Sequence, residues 1–124
     1  MSEDALDERE RQGELERLIT RQLLDYTAER ALDFLESLPS RPVRAAASLE
    51  ELREAFGGPL PEQGEDAVTV IRRLADAAEQ GVVASSGSRY FGFVIGGSLP
   101  AALAADWLTT AWDQNAGVYA VSPA

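Results

Sequence analysis

The sequence predicts a mainly α chain, and three observations carry that expectation. Apolar residues recur at three- and four-residue spacing through most of the first two-thirds of the chain. Helix start and stop signals punctuate those runs: Pro39, the Ser48–Glu51 pair, Gly57-Gly58-Pro59 and Asp66. Only one short stretch, Tyr90–Ile95, has the aromatic and β-branched composition of extended chain.

Residues 1–13 are strongly charged and are expected to form a flexible acidic tail. A helix is expected from Glu14 to Leu38. Leu15, Leu18, Ile19, Leu23 and Tyr26 mark its first apolar face. Further along, Ala28, Ala31, Leu32 and Leu35 shift the stripe, and Phe34 and Leu38 widen it. A helix apolar on more than one side has more than one neighbour. Pro39 ends it, because a residue before proline is pushed out of the α region, and Ser40-Arg41-Pro42 continues as a linker. Ser48-Leu49-Glu50-Glu51 reads as a capping box, in which the Ser48 hydroxyl accepts from the Glu51 amide and the Glu51 carboxylate from the Ser48 amide. The short helix it starts is stopped by Gly57-Gly58-Pro59.

After a loop over Pro59–Gly64, a further helix is expected near Asp66, with Ala67, Ile71, Leu74, Ala75 and Ala78 as its buried stripe and Gly81 just past its end. Ser85-Ser86-Gly87-Ser88 is a turn. Tyr90–Ile95 then runs as extended chain until Gly96-Gly97 breaks it. Ser98 is expected to cap a last helix, roughly Leu99 to Asn115, with Pro100 in its first turn. That helix is apolar nearly all round, through Leu103, Trp107, Leu108, Ala111 and Trp112, and such a helix belongs in the centre of a large protein or in an interface. This apolar end, nearly uncharged after an acidic lead-in, is expected to be the opening of a larger protein.

Charge narrows the partners. The net charge is −10, and residues 1–84 carry 19 of the 21 acidic side chains against 10 of the 11 basic ones. An acidic chain without a basic patch repels phosphate backbones and anionic bilayers, so neither nucleic acid nor membrane is an expected partner. The longest uncharged run, Tyr90–Ala105, is too short to span a bilayer and is interrupted by Gly96, Gly97 and Pro100. The charged start, MSEDALDERERQ, has no apolar core of the kind a signal peptide needs, and a cytoplasmic location is expected.

Composition also restricts chemistry. With no Cys and no His, the chain offers no thiolate or imidazole for a metal or for a nucleophile–base pair. All 11 basic residues are Arg, so no side-chain amine is present to form a Schiff base. Glu50, Glu51 and Glu54 read as a cap and a solvated face, as do Asp33 and Glu36. Asp106 lies in the apolar helix, where a buried carboxylate would need a partner: Arg89 or a residue outside this chain. Gly96-Gly97-Ser98 reads as a turn and cap, with anion binding at the helix start as the other reading. No catalytic residue and no metal ligand is assigned.

Three blocks near the end carry a resemblance: Tyr90-Phe91-Gly92-Phe93, then Ser98-Leu99-Pro100-Ala101-Ala102-Leu103-Ala104-Ala105-Asp106-Trp107-Leu108, then Asn115 with Tyr119 to Ser122-Pro123-Ala124. Together they resemble the N-terminal region of group II pyridoxal-phosphate-dependent decarboxylases, which include the glutamate and aromatic-L-amino-acid decarboxylases. The resemblance is carried by roughly the last 35 residues; the helices before them agree in layout.

The resemblance implies a type I, aspartate-aminotransferase-like α/β fold for the whole enzyme. Residues 14–88 would be the N-terminal helical dimerisation segment, and residues 89–124 the substrate loop and first helix of a truncated large domain. It implies a lyase working on an amino-acid substrate as a homodimer. It places Phe93, Val94, Ile95 and Gly96 on the loop that approaches the substrate, and Asn115 and Gly117 in the wall of the partner's pocket. Val94-Ile95-Gly96 departs from the aromatic-Pro-Thr pattern of the aromatic amino-acid enzymes, and Gly117 is small where those enzymes carry an aromatic residue. Asn115 agrees with the glutamate pattern, whereas Phe93 stands where that pattern has Gln. In this family a Lys holds pyridoxal phosphate as an aldimine and a His stacks on its ring; this chain has neither. The cofactor is therefore expected only in a full-length enzyme, with this chain inactive alone. The alternative is a stand-alone helical interaction module.

Overall fold

The computed structural model describes residues 3–114 and 117. Four helices follow one another: α1 (Glu3–Ser37), α2 (Leu49–Phe56), α3 (Ala67–Glu79) and α4 (Pro100–Trp112). No strand occurs among the described residues, in keeping with a mainly α chain. None of the four helices is long and apolar enough to cross a membrane.

At 35 residues, α1 is the longest helix, about 52 Å from end to end at 1.5 Å per residue. It starts at Glu3, not at Glu14, and so takes in most of the charged stretch expected as a tail. Acidic residues in a first turn favour the helix dipole, and the Arg11 guanidinium pairs with the Asp7 carboxylate one turn back. Polarity alone had marked this stretch as non-helical, yet Glu, Arg, Leu and Ala are good helix formers.

The two middle helices begin as their caps dictate. The Ser48 hydroxyl accepts from the Glu51 amide at 3.2 Å, and the Glu51 carboxylate accepts from the Ser48 amide at 2.7 Å. The Asp66 carboxylate accepts from the Thr69 amide at 2.9 Å and from its hydroxyl at 3.0 Å. These backbone and hydroxyl donors hold both carboxyls below the usual carboxylate range. Phe56 ends α2, and the Gly57 amide closes the last turn onto the Arg53 carbonyl at 2.8 Å. A Cβ on Gly57 would lie 2.3 Å from that same oxygen, which explains the glycine there.

Packing centres on α3, which contacts α1 on one side and α2 on the other. Its covered stripe runs through Val68, Ile71, Ala75 and Ala78, with Ala67 and Leu74 exposed. Leu74 instead joins Phe56, Leu60 and Val70 along an open groove beside α2. Gly81 lets the α2 side chain of Leu52 approach: a Cβ there would meet Leu52 Cδ2 at 2.6 Å.

The interior is small. Ala84, 1% exposed, is the fully buried apolar residue among those described. Around it the α1–α2 linker is pinned to the chain that follows α3. The Ala84 amide donates to the Val43 carbonyl at 3.0 Å, and the Ala46 and Ala47 amides both donate to the Gln80 carbonyl at 2.9 Å. Arg41 organises this junction. Its guanidinium lies 4.5 Å from the centre of the Phe34 ring, donates to Ser37 Oγ at 3.1 Å and pairs with Glu79 Oε1 at 2.8 Å. Arg89 closes the other side by donating to the Leu38 and Arg41 carbonyls. It is therefore not the partner of Asp106, which lies exposed on α4.

Two expectations near the last helix change. Ser98 does not cap α4: Leu99 occupies the N-cap without a side-chain bond, and Pro100 supplies the first turn. The helix ends at Trp112, with Asp113 in the left-handed conformation (φ 46°). Tyr90–Ile95 is not extended either. Gly92-Phe93-Val94-Ile95 forms a tight turn closed by the Ile95 amide on the Gly92 carbonyl at 3.3 Å, with Phe93 and Val94 both at φ 55°. An isolated stretch of β-prone residues has no ladder to join among the described residues, so its composition alone does not keep it straight.

Candidate functional site

Of the residues expected to approach a substrate, Phe93, Val94 and Ile95 sit on that turn and Gly96 directly follows it. Phe93 is 91% exposed and Val94 fully exposed; Ile95 is half exposed, and nothing lies within 4 Å of a Cβ placed on Gly96. The Tyr90 ring folds back over the turn, with its hydroxyl 2.6 Å from where a Gly92 Cβ would be. None of the four expected residues bears a titratable side chain, so the turn can offer shape and apolar contact but no proton transfer.

The structure brings these four together by sequence adjacency and does not bring the remaining two to them. Gly117 is exposed in a turn beyond the other end of α4, and Asn115 lies outside the described residues. The helix between the two groups has 13 residues and spans about 20 Å.

α4 faces α1 across a cleft of about 490 Å³ walled by Ala28, Leu32, Leu35, Leu103, Ala104 and Trp107. It continues into a second hollow of about 380 Å³ that reaches Arg30, Phe34 and Glu79. Ala31, Leu35, Ser98 and Leu103 border both. This is where the second apolar stripe of α1 turns, while Tyr26 faces α3 and its ring lies under the Arg72 guanidinium at 5.5 Å. The double stripe read from the sequence thus has two destinations, one packed and one open. Along the open side, Leu32 is 56% exposed, Trp107 36% and Trp112 61%.

Arg30 sits at the polar end of the cleft, 3.8 Å from Asp76 and 4.0 Å from Glu79, so its charge is balanced locally. The sequence carries little signal for Arg41, because a lone Arg between two prolines resembles a linker; the cues are Ser37 one turn and Phe34 two turns upstream. Among the described residues, no group of three or more His, Cys, Asp or Glu is placed to hold a metal ion.

Pyridoxal phosphate, the cofactor implied by the resemblance, does not fit this chain by itself. Its aldehyde needs an amine and its ring a stacking partner, and the whole sequence contains no Lys and no His. No family model matches the chain, and neither a curated protein nor a solved structure matches it.

Proposed function

We propose that this chain is the N-terminal segment of a pyridoxal-phosphate-dependent amino-acid carboxy-lyase, contributing dimer contacts and part of a substrate pocket while the catalytic Lys comes from elsewhere. The observation that carries the reading is the amount of surface. The chain exposes 10546 Å². A compact monomer of 13.4 kDa would expose about 6,500 Å². The difference, about 4,000 Å², goes with an extended chain of small interior, in which apolar side chains of α1 and α4 such as Leu32, Leu108 and Trp112 are left uncovered.

The quality of that surface points the same way. Phe91, Phe93, Val94, Leu99, Leu108 and Trp112 are all exposed within one nearly uncharged stretch. Clusters of exposed apolar side chains on a protein surface mark contact sites. In the proposed enzyme the stretch Phe93–Gly96 meets the amino-acid substrate in its own subunit, and the chain past α4, with Asn115 and Gly117, serves the other subunit. A separation of about 20 Å along α4 suits residues that work in two different pockets. A stand-alone helical module would call for a compact monomer, against which the exposed area weighs.

The test is to read the coding sequence that follows the Ala124 codon and to express it with the chain. The reading expects a large domain that supplies the Lys, a purified dimer with pyridoxal-phosphate absorbance, and release of CO₂ from an amino acid. A stop codon with no such domain in this or an adjacent frame would overturn it.

A further inference from the structure

The turn at Gly92–Ile95 is built from residues that disfavour it. Left-handed backbone is costly for any residue with a Cβ and most so for a β-branched one, yet Phe93 and Val94 both sit at φ 55°. Strain of this kind persists in proteins where surrounding contacts impose it. Here both side chains stand in solvent among the described residues, and the Tyr90 ring lies over Gly92 and not over either of them. From Phe91 to Gly97 the turn's own 3.3 Å bond is the backbone–backbone hydrogen bond present among the described residues. Among the described residues, no hydrogen bond is made by the amides of Phe91, Gly92, Phe93 and Val94.

The same residues are well suited to the alternative conformation. Tyr90-Phe91-Gly92-Phe93-Val94-Ile95 is uncharged, free of proline, and rich in aromatic and β-branched side chains. Straightened, it would set Phe91, Phe93 and Ile95 on one face and Tyr90, Gly92 and Val94 on the other. It would also present a row of unpaired N–H and C=O groups. A segment of this kind is satisfied by one partner class, the open edge of a β-sheet. A second copy of the segment is a poorer occupant, because an isolated two-stranded pair is marginal in water.

We propose that Tyr90–Ile95 is a strand held bent, which straightens and adds to an exposed sheet edge of a partner. This inference stands on backbone geometry and gives the segment a use alternative to the substrate turn of the enzyme reading, so either can fail without the other. The gain on docking is four or more backbone hydrogen bonds together with release of two left-handed residues. The turn also sets a threshold: it keeps an aggregation-prone segment from pairing indiscriminately while the chain is free.

The test uses the whole chain, with ¹³C at the Phe93 carbonyl, and a backbone-cyclised β-hairpin peptide as probe. One probe has a single free edge; the control has both edges blocked by N-methylation. The free-edge hairpin is expected to shift the amide resonances of Phe91–Val94 and to move the labelled carbonyl into the β-sheet infrared band, with the blocked hairpin inert. Val94→Gly, which makes the turn easy, should weaken binding about five- to thirty-fold, the population factor of one left-handed non-glycine residue. Val94 is fully exposed, so this variant should keep native helicity. Equal response to both hairpins, no response to either, or unchanged affinity in Val94→Gly would each overturn the proposal.

Discussion

Arg41 is the residue whose removal should cost most for its position in the sequence. Its side chain is 10% exposed, although it sits in a linker between helices. Arg41→Ala removes the pair with Glu79, a 3.4 Å bond to the Glu79 carbonyl, the bond to Ser37 Oγ and the stacking on Phe34. The pair with Glu79 is worth at most about 1 kcal/mol, because Glu79 is 43% exposed and screened by water. The bond to Ser37 Oγ adds about 1 kcal/mol, and the stacking on Phe34 about 0.5–1 kcal/mol. Buried stem packing brings the expected loss to roughly 2–4 kcal/mol for the junction around Ala84. Native-state hydrogen exchange reads this directly. The Ala84 amide, bonded to the Val43 carbonyl at 3.0 Å, and the Ala46 and Ala47 amides on Gln80 should lose about 30- to 1,000-fold in protection. Arg41→Met is the informative second variant. It keeps the stem over Phe34 and removes the Arg41 Nε, which is buried without a partner. Its loss should be smaller than that of Arg41→Ala. If Ala84 protection is unchanged in Arg41→Ala, or if Met is worse than Ala, Arg41 does not organise the junction.

Three further outcomes are expected. Ser48→Ala should cost α2 about 1 kcal/mol, measured as lost helicity, while Ser98→Ala should leave α4 unchanged because Ser98 makes no cap bond. The same caps predict an acid response: Glu51 and Asp66 have pKa values lowered by folding, so their stabilisation is present above the ordinary carboxylate range and is lost as pH falls through and below it. A far-UV circular dichroism titration of wild type against Ser48→Ala checks this, and identical acid transitions would contradict the assignment for Glu51. Trp107, 36% exposed in the α1–α4 cleft, should shift its fluorescence to shorter wavelength when the chain joins a larger assembly, and Trp107→Ala should then cost about 3–5 kcal/mol in the assembly but much less in the free chain. A cost of that size in the free chain would mean the cleft is already closed.

Much of the helical layout was legible because its signals are local. Pro39, the Ser48–Glu51 box, Gly57 and Asp66 each act within one turn, and the end of α1, both ends of α2 and the start of α3 fall where they predict, within a residue. The double apolar stripe of α1 was legible for the same reason, since periodicity depends on sequence alone. Three features were not. The start of α1 was misplaced because charge density looks the same in a solvated helix and in a tail. The stripe of α3 shifted from Ala67 to Val68 because two neighbours, α1 and α2, divide its faces, which spacing cannot reveal. The bend at Phe93–Val94 opposed its own composition; a β-prone segment becomes a strand only when another strand is supplied, and that information lies outside the segment. Of the site residues, Phe93–Gly96 were placed on one exposed turn and the residue directly after it, while the role of Arg41 in holding the neighbouring junction depended on contacts between residues 38 positions apart.

The first half of α1 has a thermal consequence. From Asp4 to Leu18 its side chains are exposed, apart from partial cover at Ala5 and Gly13. This stretch therefore draws its helicity from local propensity, close to the length at which an isolated helix is marginal in water. Its boundary should retreat smoothly toward Ile19 on warming, with no cooperative midpoint, while the junction at Ala84 melts as a unit. The chain then behaves as a fixed knot with a rod of temperature-dependent length, and anything that grips the far end of the rod is rewarded by the helix it completes.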